Sequence, residues 1–347
     1  MSLINEEFIY NSNIIIQKKG KNMGNVKYLT KDIQSMTEGF AKIPIKKVGV
    51  RGMVAPIKIL RKDNNEYFTT VATFSLYCSL DENTKGINMS RNGRTLISSL
   101  NEEPLKLNEI YKVTEDLMKA HETEDMYLKM TFQYIFKDHS PATHLTSYEP
   151  CNCTIECIMN KNESKVYLEV ASNESSCCPC SKNMSLLTNN ITDEQLTFIN
   201  SIQDEDLKKK ILASGFGAHN QRSEIKIKVE LNRDSYPDNL MWIEDLVKVC
   251  KYASSASTKN ILKRPDEKMV TELQYLGGYI DEKYEYHDVE GAGPKFCEDI
   301  ARDAAQMLND KYLDKNIKDY VVVVENQESI HTTLTAVSVI TAGRNLK

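Results

Sequence analysis

The sequence has no long apolar run, no arginine in its first 30 residues and no excess of basic side chains. No stretch approaches the roughly eighteen apolar residues of a membrane-spanning helix, so no membrane partner is expected. Residues 1–30 lack a short apolar core behind a basic start, so neither a signal peptide nor a transit peptide is predicted, and the expected location is cytoplasmic. A net charge of -5 argues against a nucleic-acid partner.

The nine cysteines are too few to hold together a chain of 347 residues as a disulfide scaffold. Three have apolar neighbours and are predicted to be packing residues: Cys78, Cys250 and Cys297. The others crowd into one region: Cys151, Cys153, Cys157, Cys177, Cys178 and Cys180. One alternative is a structural zinc site, but such sites use paired C-x-x-C ligands, and these spacings differ. A catalytic or redox role for the Cys178–Cys180 turn is therefore favoured.

Hydrophobic periodicity predicts a similar order of elements in both halves of the chain. Residues 66–80 and 224–231 alternate between apolar and polar side chains, as strands do. The first half is predicted to contain strands at 43–60 and 66–80, helices at 93–101 and 104–121, and strands at 125–137 and 143–159. The second half is predicted to contain paired strands at 165–171 and 224–231, helices at 238–252, 265–276 and 294–313, and strands at 319–325 and 331–341.

This order predicts an α+β fold made of two antiparallel four-stranded units with helices on one face. Residues 1–30 have little pattern and are expected to form a loose arm. The first unit then covers 31–160 and the second covers 161–347. The second unit carries the candidate metal-binding, catalytic and base-binding residues described below.

Four residues in the second half have side chains suited to a site, although each also has an ordinary explanation. His219 follows a glycine-rich segment at the mouth of a strand, where a structural histidine would be the simpler reading. Glu267 and Glu298 lie early in predicted helices, where a carboxylate stabilises the helix N-terminus. His331 could be a strand histidine without a role. None of these residues would be convincing alone.

Several motifs together give the chain a resemblance to the GTP cyclohydrolase IB family, which opens the guanine ring of GTP. The stretches are DIQS at 32–35, KVGV at 47–50, KGINMSR at 85–91, CPCSK at 178–182, GAHNQRS at 217–223, LKRPDEK at 262–268, PKFCED at 294–299 and ESIH at 328–331. The resemblance implies two tandem tunnelling-fold (T-fold) modules, each a four-stranded antiparallel sheet with two helices on one face. It also implies a homotetramer with active sites at subunit interfaces, and one divalent zinc, manganese or ferrous ion per site.

The resemblance assigns three metal ligands: Cys178, His219 and Glu267. Such a set leaves a coordination position for a water molecule, whose pKa a divalent ion lowers. Glu298 matches the carboxylate that accepts hydrogen bonds from guanine, and His331 matches the residue that moves protons.

Cys180 matches the second thiol, close to the metal or the substrate. The triphosphate of GTP is expected to bind to a cationic group drawn from several motif residues, none of them assigned individually: Lys182, Arg222, Lys263 and Arg264, with Lys85 and Arg91 also in motif stretches.

The sequence departs from the family pattern at four places. Insertions are expected at about 187–213, as a surface helical excursion, and at about 276–293, as a lid or assembly contact. Asn88 and Thr333 stand where the family commonly has histidine. The leading prediction is hydrolysis of GTP to formate and 7,8-dihydroneopterin triphosphate in folate and pterin biosynthesis. Two alternatives remain: a ferrous variant that gives the cyclic phosphate of dihydroneopterin, and a non-catalytic T-fold relative.

Overall fold

The computed structural model describes residues 34, 37–62, 65–102, 110–188, 192–214, 217–235, 240–281, 285–287 and 293–342. The predicted loose arm at 1–30 lies outside these residues. Among the described residues, no helix is long and apolar enough to cross a membrane.

The first half contains six elements in the predicted order. They are β1 (Ile45–Leu60), β2 (Tyr67–Leu80), α1 (Met89–Glu102), α2 (Ile110–His121), β3 (Asp125–His139) and β4 (Thr146–Asn160). In β2, alternate residues from Ala72 to Leu80 are buried, as the period of the sequence predicts. Gly49 in β1 comes so close to β2 that a Cβ there would lie 1.9 Å from the Leu76 carbonyl oxygen, so the position requires glycine.

The second half opens and closes with strand pairs: β5 (Ser164–Cys177) with β6 (Asn220–Leu231), and β9 (Ile317–Gln327) with β10 (Thr335–Thr341). Between β5 and β6 lie α3 (Pro179–Thr188), α4 (Asp193–Asn200) and α5 (Glu205–Ser214). Between β6 and β9 lie α6 (Ile243–Ala253), α7 (Arg264–Leu276), a small hairpin of β7 (Tyr279–Ile280) and β8 (Tyr286–His287), and α8 (Cys297–Lys311).

Eight of these strands form one antiparallel sheet in the order β1-β2-β3-β4-β5-β6-β9-β10. The protein is therefore a mixed α and β structure built on an antiparallel sheet. The two halves join between β4 and β5, where the Asn160 side chain accepts from the backbone N–H groups of Asn162 and Glu163. After this short turn β5 pairs with β4, so the backbone hydrogen bonding of the sheet continues from the first half into the second.

The helices pack on the sheet through α2, α6 and α8, which contact β3–β5, β5–β6 and β9–β10 respectively. The core lies between these helices and the inward side chains of the strands, such as Leu168, Ile225 and Val322. Alternate side chains of β6 point the other way and form ion pairs: Lys226 with Glu224 and Glu325, and Lys228 with Glu156. One sheet face is thus apolar and covered, while the other is charged.

Two helices of the second half, α7 and α8, are capped by carboxylates near their first residues. At α7, the Asp266 carboxylate accepts from Lys263 N (2.9 Å), and Pro265 occupies the first turn. At α8, the Asp299 carboxylate accepts from Phe296 N (3.0 Å). These two caps fix the first turns of α7 and α8, which carry Glu267 and Glu298.

Several predicted boundaries were wrong. β5 extends to Cys177, beyond the predicted end at 171, because most of its polar end (Ser172, Glu174, Ser175 and Ser176) is buried and hydrogen-bonded. The last strand begins at Thr335, so His331 lies in a turn rather than in a strand. α6 begins at Ile243 rather than 238, and α8 runs from Cys297 to Lys311 rather than over 294–313. Part of the helix predicted at 104–121 lies outside the described residues.

Candidate functional site

The end of β5 and the start of β6 bring Cys178 and His219 side by side. Cys177 and Asn220 are partners in the ladder, and Cys178 N donates to the His219 carbonyl oxygen at 3.2 Å. The forty residues between them leave the sheet and return to the same point. The Cys178 sulfur accepts from Ser181 N at 3.4 Å and thus caps the N-terminus of α3, and Cys180 is the second residue of that helix. Cys178 is half-buried and Cys180 is exposed.

The His219 ring is oriented by Gln221, the next inward-facing residue of β6. His219 Nδ1 lies 2.9 Å from Gln221 Oε1, and Gln221 Nε2 donates to Glu328 Oε1 at 3.2 Å. Because the amide nitrogen of Gln221 faces a carboxylate, its oxygen faces the imidazole. Nδ1 therefore carries the proton, and Nε2 keeps a lone pair that can bind a metal ion.

The same network reaches the turn that contains His331. Glu328 follows β9, and its carbonyl oxygen accepts from His331 N at 3.2 Å. Gln221 is 7% exposed, whereas His331 and the neighbouring Ile330 are exposed. The buried Gln221 amide thus links the His219 ring to Glu328, which begins the exposed turn that contains His331.

Helix α7 packs against this point through its second half. Gln274 accepts from Asn220 Nδ2 (2.9 Å) and donates to Ser175 Oγ (2.6 Å). Tyr275 Oη donates to the Ala218 carbonyl oxygen (3.3 Å). Glu267 lies seven residues before Gln274, which places it on the same helix face and about 10 Å towards the N-terminus.

Glu267 is exposed, and its carboxylate does not join the Cys178 sulfur and the His219 ring in one cluster. Within the described ranges, one group of three potential ligands has all its ligand atoms within 4.8 Å of one another: Asp281, Glu285 and His287, in the hairpin. His287 Nε2 lies 2.8 Å from Asp281 Oδ2 there. The structure therefore brings together the first two predicted metal ligands and leaves the third on the facing helix.

The start of α8 is attached to the same strand ends. Lys295 N donates to the Cys177 carbonyl oxygen (3.0 Å), and Ser176 Oγ donates to the Lys295 carbonyl oxygen (2.9 Å). Asn326 Nδ2 donates to Ser176 Oγ (3.0 Å). Elements from β5, β9 and α8 therefore converge on residues 176–178.

Glu298 is exposed in the first turn of α8. Its own backbone N–H and the Cys297 thiol, whose Sγ donates to Oε2 at 3.2 Å, lower the pKa of Glu298. Burial raises the pKa of the Cys297 thiol, so this neighbour remains a neutral donor. Glu298 is therefore an ionised hydrogen-bond acceptor at neutral pH.

The four predicted phosphate-binding residues lie in or beside three elements: α3, β6 and α7. Lys182 Nζ lies 4.5 Å from the centre of the Tyr275 ring, and burial lowers the pKa of Lys182. Arg222, Lys263 and Arg264 are exposed at the start of β6 and of α7. All four lie on elements that border the Cys178–His219 point.

Sequence reasoning missed three residues that hold the site together: Gln274, Lys295 and Glu328. Glu328 stands in the stretch ESIH, and its place in this motif was the available signal. Lys295 is 4% exposed and donates to the Ala253 carbonyl oxygen (3.0 Å) and to Asp303. These contacts depend on pairings between distant segments.

The protein is a mixed α and β structure in which Cys178 and His219 meet where the central antiparallel strands β5 and β6 come together. The arrangement of thiol, oriented imidazole and nearby carboxylates is that of a candidate metal-dependent enzyme. The chain belongs to the type I GTP cyclohydrolase folE2 family, whose model matches residues 30–278 and 280–335. The matched ranges contain every predicted site residue.

Relatives named GTP cyclohydrolase FolE2 align over most of the chain. The protein of Syntrophobacter fumaroxidans is 31% identical over 303 residues, covering 86% of this chain and 95% of its own length. That of Thermotoga neapolitana is 32% identical over 303 residues, covering 87% and 93%. That of Thermosipho melanesiensis is 29% identical over 303 residues, covering 87% and 94%.

Among solved structures, uricase from Arthrobacter globiformis aligns with 86% of this chain and 92% of its own, at 7% identity and a TM-score of 0.43. The uricase from Bacillus fastidious aligns similarly, at 8% identity and a TM-score of 0.43. Similarity at this level supports no argument about fold or function.

Proposed function

We propose that this chain hydrolyses GTP to formate and 7,8-dihydroneopterin triphosphate, the opening step of folate and pterin biosynthesis, as a GTP cyclohydrolase of type IB. Its family membership and its FolE2-named relatives support this activity. The single structural observation that carries the proposal is the pairing of Cys178 with an oriented His219 where β5 and β6 meet. A cytoplasmic location suits such a biosynthetic enzyme.

The residues present fit a divalent metal ion, in keeping with a family that is metal-dependent in general. Cys178 supplies a thiol, His219 presents a free Nε2, and Glu267 supplies a carboxylate from the facing helix. Thiolate and imidazole donors suit zinc and ferrous iron, and carboxylate also suits manganese. When bound, such an ion polarises a water molecule and lowers its pKa towards neutrality.

The chain's own residues then account for recognition of the base. Glu298, ionised at neutral pH, can accept from the N1–H group and the exocyclic amine of guanine. Adenine offers no such donor pair, so a site built around this carboxylate discriminates against ATP. Ring opening at C8 requires proton transfers, for which His331 is suited by its intrinsic chemistry and Cys180 is a nearby second thiol.

A group of cations would bind the triphosphate. Lys182, Arg222, Lys263 and Arg264 all border the strand ends, and guanidinium groups suit bidentate phosphate contacts. Glu267, Glu298 and His331 are all exposed in the single chain. This exposure supports a homotetramer whose subunit interfaces cover the active sites.

The order of elements supports two tandem T-fold modules. Residues 31–160 would form the first, with the order strand, strand, helix, helix, strand, strand. Residues 161–347 would form the second, with insertions at about 187–213 and 276–293. The first insertion contains α4 and α5, and the second contains the β7–β8 hairpin.

One sequence feature favours a second candidate product. The turn after β9 reads His331-Thr332-Thr333 and has a single histidine, so fewer protonatable groups are available there. A ferrous enzyme that yields the cyclic phosphate of dihydroneopterin would be compatible with this change.

The test incubates metal-stripped protein with GTP and with zinc, manganese or ferrous ions added separately. Formate release and pterin fluorescence after oxidation are followed, and products are separated by chromatography. We expect formate and the triphosphate with at least one metal. A cyclic phosphate with iron alone would establish the second candidate. No formate with any metal, from protein shown to be folded, would contradict both and leave a non-catalytic relative.

A further inference from the structure

A cavity of about 580 Å³ borders a face of α7 next to the one that contacts the start of β6. Val270 and Leu273 of α7 line it, whereas Gln274 and Tyr275 of the same helix contact the start of β6. The end of β3, helix α6 and strand β7 form its remaining walls. Its volume is that of a small-molecule site, and none of the predicted site residues lines it.

The cavity lining is rich in lysine although the chain as a whole carries a net charge of -5. Five lysines line it: Lys62, Lys137, Lys248, Lys251 and Lys259. They face three lining carboxylates, Asp138, Glu244 and Asp281, and Lys62 also pairs with Asp245 at 2.5 Å. A surplus of cations in a concave site concentrates anions.

The surplus is most evident where two lysines share one carboxylate oxygen. The Nζ atoms of Lys251 and Lys259 both contact Asp138 Oδ2, the second at 3.1 Å, and their side chains are only 14% and 9% exposed. Burial, and then the charge of Lys259, lower the pKa of Lys251. A further anion beside this pair would relieve that repulsion.

Aromatic rings border the same cations. The rings of Tyr252 and Tyr279 stack at 4.2 Å, and Tyr279 stacks on His287 at 5.1 Å. Lys251 Nζ lies 4.4 Å from the centre of the Phe136 ring. The cavity thus combines an ammonium cluster with flat apolar walls, which suits a charged head group attached to a small organic body.

We propose that this lysine-lined cavity binds a small phosphate-bearing anion at a site separate from the proposed substrate site. Phosphate is favoured over a single carboxylate because several ammonium donors converge there, and a phosphate group offers at least three acceptor oxygens. The cavity is also linked to the strand ends. Ser257 and Lys259 lie just after Ala256, whose carbonyl oxygen accepts from Ser175 N at 3.0 Å.

The test titrates pyrophosphate, with inorganic phosphate as the weaker probe, into the full chain in a calorimeter at low and high ionic strength. We expect saturable binding that weakens with salt and raises the melting temperature. Lys248→Gln and Lys259→Gln should each weaken binding by about tenfold or more, since each removes a charged donor. Lys248 is partly exposed on α6, so its variant is decisive if the Lys259 variant does not fold.

Two controls separate this site from other cationic surfaces. Lys268→Gln removes an equal charge from the exposed side of α7, where Lys268 pairs with Glu272, and should leave binding unchanged. Arg222→Gln with Arg264→Gln should weaken any pyrophosphate binding at the proposed substrate site and leave in place the binding that depends on Lys248 and Lys259. Absence of binding at millimolar pyrophosphate would overturn the proposal, and so would binding by the Lys248 and Lys259 variants equal to that of the unaltered chain. Loss of all binding in the Lys268 variant or in the Arg222 and Arg264 variant would overturn it as well.

Discussion

The two halves of the chain share an order of elements but differ in where they bury polar side chains. Thirteen of the eighteen buried polar or charged residues in the described part of the chain lie in the second half, and most surround the end of β5. In the first half the β1–β2 connection is short, whereas β5 and β6 are separated by three helices. Because buried polar groups require partners, their concentration shows that the second half holds more interior hydrogen bonding, around the end of β5 where the candidate site lies.

The largest expected effect comes from removing matched thiols and imidazoles from the two halves. Cys178→Ala and His219→Ala should each abolish turnover and release the metal, because each removes a proposed ligand. Cys157→Ala, in the core face of β4, and His121→Ala, which contacts Asn92 at 2.9 Å, should keep both metal and activity. Metal content of purified protein and formate release measure the outcome. If the Cys157 and His121 variants lost metal and activity as fully as the Cys178 and His219 variants, the assignment of the metal site to the second half would be contradicted.

Glu298→Gln should have the next largest effect. The amide keeps one acceptor but presents a donor to the guanine edge, so kcat/KM for GTP should fall by about tenfold to a hundredfold. Metal content should be unchanged. Asp299→Asn, which changes the neighbouring carboxylate at the α8 cap, is the matched control and should affect melting temperature more than kinetics. Metal loss in the Glu298 variant would contradict its assignment to the base.

The hydrogen bonds from His219 to Gln221 and from Gln221 to Glu328 can be tested by exchanging the side chains of the last two residues. Gln221→Leu should weaken metal binding by about tenfold to a hundredfold, because His219 loses the group that fixes its tautomer. Gln221→Glu places two carboxylates together and should also weaken it. The double variant Gln221→Glu with Glu328→Gln restores an acceptor for Nδ1–H and should recover affinity. Metal competition titrations and the nitrogen shifts of labelled histidine measure this, and failure of the double variant to recover would refute the tautomer argument.

The smallest effect concerns two buried or half-buried carboxylates, one from each half. Against the opposing effect of burial, Lys251 and Lys259 lower the pKa of Asp138 from 3.8 to about 2. Ionised Asp138 therefore stabilises the folded state at pH values above its ordinary pKa. This contribution of about 2 kcal/mol is lost as the pH falls towards 2. Burial raises the pKa of Glu174, so its contribution is present below 4.5 and is lost as pH rises through the folded value.

Substitution of each carboxylate by its amide should therefore give opposite results at pH 7. Asp138→Asn should lower the free energy of unfolding, and Glu174→Gln, which still accepts from Thr258 N, should leave it unchanged or raise it. Urea unfolding from pH 3 to pH 8 measures both. Parallel pH profiles for the two variants would contradict the assigned directions.

Much of the fold was predictable because period-two alternation is a local signal. It gave β2 and the greater part of β6 correctly, and it predicted the pairing of β5 with β6, which the ladder from Tyr167 to Cys177 confirms. It failed at the end of β5, where Ser172, Ser175 and Ser176 are buried although their sequence is that of a loop. Their partners, such as Gln274 and Lys295, come from segments about a hundred residues away.

The site was predictable only in part, for the same reason. Resemblance could assign five residues, because the motifs that contain them can be recognised in the sequence without the structure: Cys178, His219, Glu267, Glu298 and His331. The contact from Gln221 to Glu328 depends on the register of β6 against β9, which no local pattern specifies. The cationic cavity likewise depends on how α6, α7 and β3 meet.

The hydrogen bond from Cys178 N to the His219 carbonyl oxygen closes the excursion of α3, α4 and α5 at its base. Helix α4 contains no buried residue and carries its own capping box between Thr192 and Gln195. A fluorescent label, an affinity handle or an entire foreign domain could therefore be grafted at α4 without pulling the strand ends apart. A probe attached at α4 would report on the assembly of subunits, and we expect the Cys178–His219 end of the segment to keep its structure.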